Sequence, residues 1–170
     1  MNENAAPGEP RQETPADALE PAVEEKFATV AASSDSPWWA VEEVRKLLES
    51  GEVPDEMLVC SGGLKSMGET GSLAGSLESV LGEDTVLVVT DRRIGWVNPK
   101  HRESGSGSLA LSELRKVTLP RIYMFGKGQL TVHLKSGGQV PFGVSKKRKA
   151  QAKALAKAIA GRMSTEGPRS

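Results

Sequence analysis

The sequence predicts a mainly β fold: a seven-stranded antiparallel barrel capped by a C-terminal α-helix, preceded by one N-terminal helix and a disordered acidic tail. Three observations carry this. Between Met57 and Val144 short apolar stretches are organised with a period of two, the pattern of strands. Clusters of Gly, Pro, Asn, Asp and Ser separate those stretches. After Ser145 the period changes, and Ala152, Leu155, Ala156, Ile159, Ala160 and Met163 fall on one helical face while Lys149, Lys153 and Lys157 occupy the other.

Hydrophobic residues make up 38% of the 170 and aromatics 4%, low for a chain packed throughout. Residues 1–35 account for this. They are rich in Ala, Pro, Glu, Ser and Thr, with Pro7, Pro10, Pro15 and Pro21 spaced through them. Only Val23, Phe27 and Val30 make a stripe, so at most a transient helix is expected around Ala22–Ala32. Residues 36–51 read as an amphipathic helix, with Ser36 as cap and Pro37 at its first position. Its stripe is Trp38, Val41, Val44, Leu47 and Leu48, Glu42 pairs with Lys46, and Gly51 ends it. The two tryptophans should dock this helix on the domain.

The domain itself spans residues 56–163, followed by a short disordered tail at 164–170. Met57 to Cys60 forms the first strand. The Gly- and Ser-rich stretch Ser61 to Asp84 is a long loop, with one or two helical turns around Leu73, Leu77, Val80 and Leu81. Thr85–Val89 and Ile94–Val97 are strands joined by the turn Thr90–Arg93, and Asn98-Pro99 with the Gly/Ser run Ser104–Ser108 forms a flexible basic loop. Leu109–Leu111 and Lys116–Tyr123 follow, the latter an edge or bulged strand because of Pro120. Gln129–Lys135 and the strand bearing Val140, Phe142 and Val144 form a hairpin around Ser136–Gln139.

The net charge is zero, yet its distribution is polar. Met1–Asp91 holds 19 acidic and 5 basic residues, and Arg92–Ser170 holds 3 acidic and 17 basic. Such asymmetry points to an interaction surface or an internal electrostatic contact. Cys60 stands alone, which excludes an internal disulfide and fits a reducing compartment. The chain start has neither the basic nor the apolar region of a signal peptide, and no apolar run is long enough to span a bilayer. A cytoplasmic protein, able to sit peripherally on a membrane, is expected.

Seven strands and a terminal helix follow the order of the pleckstrin-homology fold. The segments Val86–Val97 (VLVVTDRRIGWV), Leu109–Val117 (LALSELRKV) and Gly128–Leu134 (GQLTVHL) resemble bacterial PH-like domains of the YokE type. The resemblance covers about residues 56–162 and implies a PH-like fold and a binding or scaffolding role. Phosphoinositide-binding relatives carry a basic motif on the first hairpin. Here that stretch offers Lys65 against Glu69, Glu78, Glu83 and Asp84.

No nucleophile elbow, dinucleotide fingerprint, phosphate loop or zinc-protease motif occurs. His101 and His133 lack the partners a metal site or catalytic triad requires. No catalytic residue, metal or cofactor is therefore expected. Asp91 should fix its turn and pair an arginine, while Arg92 and Arg93 are also candidates for ligand contact. The remaining candidates are Lys100 and Arg102 in the loop, and Lys146, Lys147, Arg148 and Lys149, four cations at a helix start where the macrodipole disfavours them. The expected role is a non-enzymatic adaptor that binds a protein partner, or an anionic membrane surface, with the acidic tail competing for the cations. A structural subunit self-assembling through barrel edges is the alternative. Nucleic-acid binding ranks below both, because few aromatics interleave with the cations.

Overall fold

The computed structural model describes residues 20–62, 83–121, 123 and 126–165. The expectations for residues 1–19, for the loop segment 63–82 and for 166–170 lie outside them. Two helices lead, α1 (Pro21–Ser33) and α2 (Trp38–Leu47). Seven strands follow: β1 (Pro54–Gly62), β2 (Thr85–Thr90), β3 (Arg93–Val97), β4 (Gly107–Ala110), β5 (Leu114–Thr118), β6 (Lys127–Leu134) and β7 (Gln139–Ser145). A four-residue helix, α3 (Arg102–Gly105), lies between β3 and β4, and α4 (Lys149–Thr165) ends the described chain.

The strands form one antiparallel sheet in the order β4-β3-β2-β1-β7-β6-β5. β1 is the joint: Glu56–Cys60 pairs with β2, and Ser61 and Gly62 pair with β7. Inward side chains from both halves meet around Trp96 and Phe142, whose rings pack edge to face at 5.6 Å. Leu58, Leu87, Val89, Leu130 and Val132 join them, and α4 closes the space with Ala152, Leu155 and Ile159, all buried. The seven-stranded antiparallel architecture closed by a C-terminal helix, expected from the sequence, is the one observed. β5 is an edge strand with a register shift at Leu114/Lys116, and it stops before Pro120.

Residues 20–35 correct the expectation of a disordered tail through residue 35. Pro21–Ser33 is a helix with Val23, Phe27 and Val30 buried. Its reason lies in the sheet. Met57, Val59, Val86 and Val88 point away from the barrel interior and need a cover. Phe27 and Val30 of α1, with Ala40 and Val44 of α2, supply it. Three apolar residues suffice when a preformed apolar surface receives them, since burying one such side chain stabilises by roughly 1.5–3 kcal/mol.

α2 docks through a different face from the one expected. Ala40 and Val44 are fully buried, and Leu47 packs so near β3 that its side chain fills the space above Gly95. Residues two apart on a helix differ by roughly 200°, so burying Ala40 turns Trp38 outward, where it is 79% exposed. Pro37, not Ser36, occupies the N-cap position, and the Ser36 hydroxyl meets that of Ser34 at 2.7 Å. Lys46 pairs with Glu43 rather than Glu42, at 3.2 Å.

Candidate functional site

Arg93 is a structural residue. Its guanidinium donates to both carboxylate oxygens of Glu52 at 2.8 and 2.9 Å, and to the Leu47 carbonyl at 2.8 Å. Glu52 is fully buried and also accepts from the Thr90 hydroxyl and the Glu49 amide. Burial alone would raise the Glu52 carboxyl, but the hydrogen bonds from Arg93, Glu49 and Thr90 outweigh it and hold the group below its ordinary value. Asp91 does not make a local turn bond. Its carboxylate accepts from the Val53 amide at 2.9 Å, while the Thr90 oxygen accepts from the amides of Arg92 and Arg93 and so organises the turn. The TDRR hairpin is thus a clasp on the end of α2. Arg92, on its rim, is exposed and reaches the Ser50 and Gly51 carbonyls at 3.5 and 3.4 Å.

The other candidates divide the same way. Arg102 grips Glu43 of α2, 2.7 Å to each oxygen, from α3, which forms where a loop was expected. Arg148 is buried and holds the Ser34 and Asp35 carbonyls at 3.4 and 3.2 Å, and Glu83 at 3.2 Å. The Ser145 hydroxyl donates to Glu83 at 2.8 Å. A 3-10 turn, Lys146–Arg148, precedes α4 and brings Lys147 within 3.4 Å of Glu83. Lys146, Lys149, Lys153 and Lys157 are exposed and have no carboxylate partner among the described residues. Lys149 lies 5.8 Å from the Tyr123 ring centre. Lys100 is likewise exposed, at the rim of the α2 groove.

The eight sequence-selected cations therefore do not converge. Arg92, Arg93 and Arg102 flank α2, whereas Lys146–Lys149 begin α4. Sequence reasoning passed over Arg162, whose guanidinium holds Asp55 at 2.6 and 2.9 Å, with Lys26 on the same carboxylate at 2.8 Å. Burial raises the Asp55 carboxyl, and the contacts with Arg162 and Lys26 more than reverse that. On β5, Arg115 and Lys116 are exposed, and the His133 ring contacts the Thr118 hydroxyl at 3.0 Å. Partial burial, then the charges of Lys116 and Arg115, lower the His133 pKa.

A second feature, unforeseen because Trp38 was expected to be buried, is an open groove of about 520 Å³ beside α2. Trp38, Trp39, Glu42, Glu83, Asp84 and Lys100 help line it. Cys60 is inert by contrast: burial pushes its thiol far up. Among the described residues no cluster of three metal-ligating side chains occurs, and no helix is long and apolar enough to cross a membrane.

No family model matches the chain, and no curated protein matches it. Among solved structures it is similar to the Vps36 N-terminal PH domain, at 17% identity and a TM-score of 0.49, over 69% of this chain and 86% of that one.

Proposed function

We propose that the chain is a non-enzymatic binding module whose basic C-terminal half engages an acidic protein surface or an anionic membrane. One observation carries this reading. Once Arg93, Arg102, Arg148 and Arg162 are assigned to internal carboxylates, and Lys147 to Glu83, the exposed Lys146, Lys149, Lys153 and Lys157 are left without a carboxylate partner among the described residues. Lys149, Lys153 and Lys157 recur every four residues, so they line one side of the helix. Their apolar counterparts on the inner side are spent on the core, which leaves only charge to offer. Lys146 adds a further cation at the helix start, and Arg115 and Lys116 mark the β5 edge.

The test is co-sedimentation with phosphatidylcholine vesicles, with and without phosphatidylserine, across a salt series. Binding should require the anionic lipid and fade as salt rises. Each of Lys146, Lys149, Lys153 and Lys157 changed to Ala should weaken it by roughly fivefold, given about 1 kcal/mol per cation at an anionic surface. Equal binding to neutral vesicles, or quadruple-variant binding equal to wild type, would sink the proposal. Salt-sensitive capture of an acidic protein without lipid retention would select the protein form of the reading. Self-assembly through β4 and β5 edges is the lesser alternative, because Arg115 and Lys116 on β5 repel a second copy of that edge.

A further inference from the structure

The α2 groove has a chemistry different from that of the basic helix. Trp38 is the one large hydrophobic side chain exposed among the described residues. The docking of Ala40 and Val44 turns it outward. Glu42 follows one helical turn later on the same side, and Asp84 contributes a second carboxylate to the lining. Neither has an ion-pair partner among the described residues, whereas Glu43 is taken by Lys46 and Arg102, and Glu83 by Lys147 and Arg148. Of the lining cations Lys46 is thus already engaged, and Lys100 alone opposes the free carboxylates. The unpaired charge of the groove is therefore net negative.

An indole face beside free carboxylates selects cations. The ring quadrupole attracts a guanidinium or ammonium placed over it, and the carboxylates accept that group's hydrogen bonds. An acidic side chain would meet repulsion from Glu42 and Asp84. An aliphatic one would gain the ring contact alone. We propose that the α2 groove docks a basic segment of a partner protein, with one arginine or lysine side chain lying on the Trp38 indole between Glu42 and Asp84.

The experiment uses the full chain and two dye-labelled, end-blocked peptides, one alternating Arg with Ala and one alternating Glu with Ala, followed by fluorescence anisotropy. The arginine peptide should bind saturably and the glutamate peptide should not. Trp38→Ala and Glu42→Gln should each weaken binding by roughly two- to fivefold or more, with unchanged thermal unfolding because both side chains are exposed. Lys100→Glu should tighten it, a change of sign that misfolding cannot produce. Wild-type affinity in Trp38→Ala and Glu42→Gln would overturn the proposal, as would equal binding of the glutamate peptide. Concentration-dependent self-association lost in Trp38→Ala would assign the groove to a second copy instead. A blue shift of tryptophan emission on vesicles alone, abolished by Trp38→Ala, would assign it to membrane.

Discussion

At the scale of single residues, the fate of each cation depends on a carboxylate far away in sequence. Arg93 finds Glu52 41 residues upstream, and Arg162 finds Asp55 107 residues upstream. Glu52→Gln removes one charge of a pair whose acidic member is fully buried. It should cost about 3 kcal/mol, the order seen when one partner of a buried pair is removed, read from urea unfolding at neutral pH. The folded carboxyl ionises more readily than in the unfolded chain, where 4.5 is ordinary. Its contribution is therefore complete above that value and lost as pH falls through the folded one. Below pH 4.5 the wild type should lose stability more steeply than Glu52→Gln. Trp38→Ala, in contrast, should change stability by no more than about 0.5 kcal/mol, as exposed positions usually do. Although Asp91 bonds Val53 and not its own turn, the residue types of the TDRR turn were legible in the sequence. Their partners were not, because nothing local specifies a pairing across such separations.

The strands and the last helix were legible because their periods are strong, and their ends moved by only a few residues. The position of α1 was legible but its stability was not, since its three buried residues lie in a Pro- and Glu-rich stretch that looks unable to offset its ordering entropy. The missing signal sat elsewhere, in β1 and β2. Val86 and Val88 are as apolar as Leu87 and Val89, and such a strand has two faces to bury. Phe27→Ala should therefore cost about 3–5 kcal/mol in a urea titration, a value no disordered tail would give. Removal of residues 1–35 should uncover Met57, Val59, Val86 and Val88, and yield a chain that binds hydrophobic dyes. Any competition between acidic residues and the basic helix is properly measured on a chain lacking only residues 1–19.

For the whole molecule, the charge asymmetry resolves into a set of cross-links. Acidic groups of the first half bind basic groups of the second at Glu52–Arg93, Glu43–Arg102, Glu83–Arg148 and Asp55–Arg162. Pairs with a buried member fix how the helices sit on the barrel, and the lysines left over define the candidate surface. α4 is part of the core as well as the carrier of that surface. Truncation after Ser145 removes Leu155 and Ile159, both fully buried, and should leave a chain without sharp near-ultraviolet dichroism. Leu155→Ala alone should cost about 2–5 kcal/mol, measured by calorimetry. The charge totals were plain in the sequence. Their division into spent and unspent cations required the fold.

From the turn that leads into α4, Arg148 touches two other parts of the chain: the α1–α2 elbow at Ser34 and Asp35, and Glu83 at the entry to β2. Glu83 in turn lines the α2 groove. One guanidinium thus ties the elbow between the two leading helices and the entry to β2 to the lead-in of α4, so that loosening any one of them loosens the hold on the other two.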